Sequence, residues 1–262
     1  MEYTTIKYQK EANSAVAVIT LNRPNHMNAI SIKMLNELNH LMDAMTENTD
    51  IAAVIITGGD KCFAAGADIQ QVSRLDTPVA AHVFVSLAQI VMEKIEKFKM
   101  PVIAAINGIA FGGGCELTLA CDIRLASEDA LFALPEIKIG VIPGGGGTQR
   151  LPRLIGGGRA REMLFSGDPI DAREAYRIGL VNRVFSADSL MYEAQKMAVK
   201  FAGQPRLAME ANKAAVLTGM NMDQHSAMAY EARCFEFLFS TEDQKEGMRA
   251  FMEKRKPIFK GR

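Results

Sequence analysis

The sequence predicts an α/β protein that ends in a helical region. Two observations support this: short apolar runs alternate with runs of helical periodicity in the first two-thirds of the chain, and after about residue 187 only helical periodicity remains. Strands that alternate with helices are typical of a sheet with crossover connections, because such connections are long enough to hold a helix. We therefore expect an α/β core over residues 1–190 and a helical region over residues 191–262.

Two strands and a helix are predicted first. Residues 4–8 and 15–21 favour strands, and the second run (AVAVITL) stops at the turn-forming residues 22–25. From Ser31 to about Glu47 apolar residues recur at helical spacing, and the hydroxyl of Ser31 suits a helix N-cap.

The same alternation continues to the end of the core. Buried strands are predicted at residues 52–57, 101–106, 121–127 and 180–185, with a long helix over residues 78–98. Beyond the last strand, helices are predicted at residues 187–202, 205–218, 223–239 and 242–253.

Charge and composition argue against several classes of partner. Lys+Arg and Asp+Glu both number 30, so the formal net charge of zero gives no general reason to bind nucleic acid or an anionic membrane. No signal-peptide pattern opens the chain, and no apolar run approaches the roughly 20 residues of a membrane span. The 4 cysteines form no CxxC pair and have apolar neighbours, so we expect buried free thiols and a cytoplasmic protein.

Two glycine-rich runs, FGGGCE (111–116) and PGGGGTQR (143–150), invite a nucleotide-binding interpretation. Neither run matches the P-loop, which needs a lysine after its glycines, or the G-x-G-x-x-G fingerprint. No serine lies in a G-x-S-x-G elbow, and the 4 histidines are scattered without metal-ligand spacing. Nucleotide-fold binding, a serine nucleophile and a metal site are therefore not expected.

The first glycine run has a different use. It opens a short helix predicted at residues 115–121, where glycines let a ligand approach backbone amides that lie at a positive helix end. The loop CFAAGADIQ (62–70) offers a second set of unobstructed amides after a strand. Two such amides make an oxyanion hole, although each loop taken alone is also compatible with a tight turn.

Two glutamates stand in apolar surroundings. Glu116 follows the first glycine run, and Glu136 follows a proline in LFALPEIKIG. A carboxylate buried without a partner is expensive, and burial raises a carboxyl pKa toward the pH at which acid–base catalysis works. Each residue alone could be a helix cap or an ion-pair partner, but together they could hold and polarise one water molecule.

These stretches carry a resemblance to the enoyl-CoA hydratase/isomerase (crotonase) family over essentially the whole chain. The matching segments include ITLNRPNHMNAIS (19–31), CFAAGADI (62–69), MPVIAAINGIAFGGGCELTLACDIRLAS (100–127) and FALPEIKIGVIPGGGGTQRLPRLIG (132–156). The resemblance implies a spiral of ββα units as the catalytic core and a C-terminal helical region that drives assembly of a homotrimer or a hexamer built as a dimer of trimers. It also implies an acyl-CoA substrate, with coenzyme A as part of that substrate and no separate cofactor.

The resemblance assigns roles to particular residues. The amides of Ala67 and Gly113 would form the oxyanion hole for the thioester carbonyl. Glu116 would be the base that activates water at C3, and Glu136 would donate a proton to C2. Hydratases of the family carry both glutamates, whereas many relatives with a single glutamate catalyse isomerisation or other reactions.

The resemblance also implies contacts to coenzyme A. Backbone around Ala65, Gly66, Asp68 and Ile69 would bind it, and Phe251 and Lys254 of the last helix would reach its nucleotide end, either in the same subunit or from a neighbouring one. In one respect the chain departs from the family, because residues 25–26 are Asn-His where a lysine near the CoA phosphates is common.

We therefore expect an enoyl-CoA hydratase that converts a trans-2-enoyl-CoA, of short chain length, to a 3-hydroxyacyl-CoA. The first alternative is a hydratase for a specialised acyl group, such as a cyclic enoyl-CoA or crotonobetainyl-CoA. A non-catalytic, RNA-binding relative of the same fold is the second alternative, and the intact pair of glutamates argues against it.

Overall fold

A computed structural model describes residues 2–10, 14–48 and 50–262 of the protein. Its main sheet has the strand order β1-β2-β3-β4-β6-β9, with β1 antiparallel to β2 and every other pair parallel. A smaller sheet has the order β5-β7-β8. The strands are β1 (Ile6–Lys10), β2 (Val16–Leu21), β3 (Ala53–Thr57), β4 (Val102–Ile106), β5 (Ile109–Phe111), β6 (Ile123–Ser127), β7 (Leu131–Ala133), β8 (Ile170–Asp171) and β9 (Arg183–Phe185).

Helices connect these strands and then form the C-terminal region. In the core they are α1 (Ile32–Thr46), α2 (Ile69–Val72), α3 (Pro78–Glu96), α4 (Gly113–Leu119), α5 (Gly147–Ile155), α6 (Gly157–Ser166) and α7 (Ala172–Arg177). The C-terminal helices are α8 (Ala187–Ala202), α9 (Arg206–Gly219), α10 (Gln224–Leu238) and α11 (Glu242–Met252). Short 3-10 helices cover Pro24–His26 and Pro135–Ile139.

The predicted α/β class is confirmed, and the predicted strands and helices of the core are present. Ser31 caps α1 as predicted, since its hydroxyl accepts a hydrogen bond from the amide of Met34. The first strand begins later than expected, because the amides of Thr4 and Thr5 are bound by the buried carboxylate of Glu37. The last strand is shorter than expected, because the carbonyl of Leu180 is held by a buried arginine.

The three strands of the smaller sheet were not predicted. Each is two or three residues long, and such runs carry too little alternation to be distinguished from loops. The helices α5 and α6 were missed as well, because both begin in glycine-rich sequence that disfavours a helix.

Both faces of the main sheet are covered. One face packs with α1 and α3 in the larger apolar cluster, and the other packs with Leu190, Ala194 and Ala198 of α8. The boundary predicted at residue 190 lies within α8, whose buried side chains pack against the main sheet.

The helices beyond α8 form little of the core. Within the described residues, neither α9 nor α10 has a buried side chain, whereas large apolar residues along α9–α11 are exposed. Lys213 connects α9 to the core, since its ammonium group donates to Asp122 at 2.7 Å.

Cys234 lies on α10, which has no buried side chain, and is therefore only partly buried. Of the 4 free cysteines, Cys115 and Cys121 are buried as expected, while Cys62 and Cys234 are not.

Among the described residues one helix, α3, is long and apolar enough to cross a membrane by length and composition. This differs from the expectation that no run was long enough. Core helices of water-soluble folds pass the same test, and α3 buries Val91, Met92 and Ile95 in the larger apolar cluster.

Candidate active site

The loop that carries Ala67 is fixed on two sides. The amide of Ile30 donates to the carbonyl of Gly66, and the amide of Asp68 donates to the carbonyl of Ile30. Because successive residues of an extended segment point their polar groups in opposite directions, the amide of Ala67 faces away from Ile30. Among the described residues we find no acceptor for it.

The second predicted amide lies at the start of α4. The amide of Gly112 donates to the carbonyl of Ala133, and Glu116 begins the helical hydrogen bonds by donating to Gly112. The first amides of any helix have no acceptor within it, and no acceptor for Gly113 occurs in the part of the chain that the structure describes. Its N–H is therefore available to a ligand.

These two amides and the two glutamates border one site. A Cβ built on Gly113 would lie 3.6 Å from the amide nitrogen of Ala67. A Cβ built on Gly112 would lie 2.9 Å from Oε1 of Glu136, and the φ of +48° at Gly112 also disfavours a side chain. The glycines before α4 therefore allow a carboxyl group and two amides to approach one another closely.

Glu116 is buried at 4% exposure in the first turn of α4. Its Oε1 accepts a hydrogen bond of 2.8 Å from the amide of Gly147. Burial raises the pKa of Glu116, and the amides of Gly147, Gly145 and Gly146 and the charge of Arg150 oppose that rise. The pKa of Glu116 stays above the ordinary glutamate value, because burial outweighs the support that hydrogen bonds from one glycine loop give to the ionised form.

Glu136 has a different environment. It lies in the 3-10 helix Pro135–Ile139, and its Oε2 is buried with no hydrogen-bond partner among the described residues. Burial, with a smaller contribution from the charge of Glu116, raises the pKa of Glu136 to about 7. At neutral pH this carboxyl group therefore exists in both the protonated and the ionised form.

The predicted CoA contacts around the loop have unequal access. Gly66 adopts a φ of +115°, and Ile69 is exposed. The amide of Ala65 donates to the carbonyl of Met27. Asp68 is occupied by the protein itself: its amide is bound as described above, and its carboxylate pairs with Arg23 at 2.8 Å and caps α2. Asp68 therefore supports the loop and has the fewest groups left for a ligand.

Phe251 lies in the last turn of α11, and Lys254 lies two residues beyond the end of that helix. Phe251 is 84% exposed, and Lys254 is exposed with a φ of +53°. No hydrogen bond or ion pair connects either side chain to the site within the described residues. His26, in the segment that departs from the family pattern, is also exposed.

Sequence reasoning missed the contribution of the second glycine run. Residues 144–147 approach Glu116 with their backbone, and a Cβ built on Gly145 would lie 2.9 Å from Oε2 of Glu116. The run PGGGG indicates that some group packs closely against this backbone, but only the fold shows that the group is the carboxyl group of Glu116. The described residues contain no group of three or more His, Cys, Asp or Glu that could hold a metal ion.

The fold and the site define an α/β protein in which the buried carboxyl group of Glu116 and the partly buried one of Glu136 lie beside two backbone amides with no acceptor in the described chain. That arrangement suits acid–base chemistry next to a carbonyl group that the amides polarise. A family model described as Enoyl-CoA hydratase/isomerase matches residues 11–262, and the chain belongs to this family.

Relatives with similar sequences extend over the whole chain. It is 46% identical over 260 residues to a crotonyl-CoA hydratase of Syntrophomonas wolfei, covering 99% of both chains. It is 43% identical over 257 residues to a short-chain-enoyl-CoA hydratase of Clostridium acetobutylicum, covering 98% of this chain and 97% of the relative. The crystal structure of an enoyl-CoA hydratase from Bacillus anthracis superposes with a TM-score of 0.94 at 41% identity, over 98% of this chain and 100% of that one.

The unequal environments of the two glutamates lead to a test by titration. With glutamate side chains labelled with ¹³C, we expect the carboxyl signal of Glu136 to titrate near pH 7. In the Glu116→Gln variant the same signal should titrate at lower pH, because the neighbouring negative charge is removed. A Glu136 signal that titrates near the ordinary glutamate pKa of about 4.3 would contradict the burial described here.

Proposed function

We propose that the protein is an enoyl-CoA hydratase, which adds water reversibly to a trans-2-enoyl-CoA to give a 3-hydroxyacyl-CoA. The observation that carries the proposal is the pair Glu116 and Glu136 beside the amides of Ala67 and Gly113. The names of the relatives, crotonyl-CoA hydratase and short-chain-enoyl-CoA hydratase, support a short acyl chain.

In this proposal the thioester carbonyl accepts hydrogen bonds from Ala67 and Gly113. The amides withdraw electrons from the conjugated double bond, so C3 becomes more electrophilic. The water oxygen forms its bond to C3 while one water proton moves to Glu116, and C2 takes a proton from Glu136. The negative charge that develops on the carbonyl oxygen is stabilised by the two amides. Return of a proton from Glu116 to Glu136 restores the starting state.

The environments of the carboxyl groups support this division of roles. A base must be ionised before the reaction, and hydrogen bonds from Gly145, Gly146 and Gly147 favour the ionised form of Glu116. An acid must carry its proton, and Glu136, with its pKa near 7 and one oxygen without a partner, retains the proton in a substantial fraction of molecules at neutral pH. Glu116 is therefore proposed as the base and Glu136 as the proton donor.

The first prediction from this function concerns crotonyl-CoA. Purified protein should remove the absorbance of its conjugated enoyl-thioester, and Glu116→Gln or Glu136→Gln should lower turnover at least ~10²-fold while acyl-CoA still binds. Gln149→Glu is a suitable control, since Gln149 is exposed on α5. Binding without turnover in the unmodified protein would favour a hydratase for a specialised acyl group, and turnover retained by both variants would remove the pair from the mechanism.

The second prediction concerns the amide of Gly113. Proline is favoured at the first position of a helix, which Gly113 occupies, so Gly113→Pro deletes the N–H with little disturbance of α4. Loss of one oxyanion donor should lower turnover about 10²–10³-fold. Gly113→Ala keeps the N–H and is the matched control, since a Cβ there meets only ordinary contacts of 3.6 Å or more. Equal activity of the proline and alanine variants would disprove the assignment.

We also propose that the protein is a homotrimer or a dimer of trimers in the cytoplasm. The exposed apolar side chains of α9–α11, among them Met220, Phe235 and Met248, support an interface formed by this region. Phe251 and Lys254 of the same region are proposed to contact the CoA nucleotide. Light scattering should give a mass of three or six times 28.6 kDa, and a monomer at micromolar concentration would refute the assembly.

A further inference from the structure

Side chains from α3 and α5 hold two successive carbonyl groups of the glycine loop that contacts Glu116. Nε2 of Gln89 donates to the carbonyl of Gly144 at 2.8 Å. Nη1 of Arg150 donates to the carbonyl of Gly145 at 2.9 Å. The guanidinium group is itself fixed by Glu96 through two bonds, Nε to Oε1 at 3.0 Å and Nη2 to Oε2 at 2.8 Å.

Because the peptide group is planar, a side chain that fixes the direction of a carbonyl group also fixes the direction of the amide in the same peptide group. The carbonyl of Gly144 and the amide of Gly145 belong to one trans peptide group and point in opposite directions. The carbonyl of Gly145 and the amide of Gly146 are related in the same way. When Gln89 and Arg150 hold the two carbonyls on their side, both amides are directed to the opposite side, where Glu116 lies.

The packing of the loop leaves little room for another arrangement. A Cβ on Gly146 would lie 2.2 Å from Nη1 of Arg150, while a Cβ on Gly145 would lie 2.9 Å from Oε2 of Glu116. The guanidinium group of Arg150 and the carboxyl group of Glu116 thus pack closely against opposite sides of the same loop. The side chain of Arg150 is only 17% exposed, so its bonds to Glu96 and Gly145 are partly shielded from water.

We propose that Arg150, held by Glu96, and Gln89 are positioning residues that orient the amides of Gly145 and Gly146 toward the carboxylate of Glu116. This inference rests on the proposed role of Glu116 as the base. In this interpretation the glycine run 144–147 and the side chains of Gln89 and Glu96 on α3 orient the base, and none of them needs to contact the substrate.

The charges around Glu116 determine the expected pH dependence. Glu136 and the thiol of Cys115 lie near Glu116, and Arg150 faces it from α5 with Glu96 behind. The amides and Arg150 lower the pKa of Glu116 against the effect of burial. Removing Arg150 deletes a positive charge and releases a peptide group, so the pKa of Glu116 should rise. The acidic limb of the rate profile, where the base loses its ionised form, should then move to higher pH.

The test compares Arg150→Gln and Gln89→Leu with Arg153→Gln, a control at an exposed arginine on the same helix. We expect kcat on crotonyl-CoA to fall at least ~10-fold in Arg150→Gln, with KM changed less than ~3-fold, since positioning of the base acts on the chemical step. Gln89→Leu, at an exposed site, should lower kcat by a smaller factor. This variant allows the test to be made even if Arg150→Gln does not fold. The control should match the unmodified protein in kcat and in the pH profile.

A second readout separates this inference from the proposed function. The ¹³C titration of the Glu116 carboxyl needs no turnover, so it remains informative even if the protein does not hydrate crotonyl-CoA. A higher pKa of Glu116 in Gln89→Leu, which removes no charge, but not in Arg153→Gln, would support the inference, whereas a rise confined to Arg150→Gln would reflect the lost charge alone and would count against it. If both variants fold and the titration and the kinetic profile stay at their unmodified values, the positioning role is overturned.

Discussion

The rest of the site depends on the burial of one carboxyl group, that of Glu116, at the start of α4. Glu116 is almost wholly removed from water, and a charge in that position is tolerated only where hydrogen bonds replace the lost solvent. Backbone amides supply them, because glycine lets the main chain approach without a Cβ in the way. The glycine loop at residues 144–147 and the ion pair behind it are consequences of that one requirement.

The helix that carries Glu116 is fixed at both ends by buried polar groups. At its start the amide of Gly112 donates to the carbonyl of Ala133, and the carboxyl group of Glu116 accepts from the amide of Gly147. At its other end the buried guanidinium of Arg124 donates to the carbonyls of Cys121 at 2.6 Å and Thr118 at 3.3 Å. A positive charge at the C-terminal end of a helix is favourable, and this one also binds the carbonyl of Leu180 before β9. The site is therefore built on a short element that the core holds rigidly.

Most of the core could be predicted from the sequence because its signals are local. The caps and apolar periodicity of α1 and the buried strand at Ala53–Thr57 depend on neighbouring residues, and both predictions are confirmed. The contacts of Glu116 could not be predicted in this way, since Gly147 is distant in the chain and Glu96 reaches the site only through Arg150. The strands of the smaller sheet were not predicted for a related reason: they are defined by the strands with which they pair and not by their own sequences.

In the proposed mechanism the two glutamates take different roles because backbone amides donate hydrogen bonds to them unequally. Glu116 is buried and Glu136 is partly buried, and burial raises the pKa of both, so burial by itself does not decide which of them is the base. The amides of residues 145–147 support the charge on Glu116, whereas Oε2 of Glu136 has no donor among the described residues. Since the charge of Glu116 in turn raises the pKa of Glu136, ionising the first carboxyl group helps the second to keep its proton. The proposed division into one base and one acid thus rests on the unequal placement of a few peptide groups around two identical side chains.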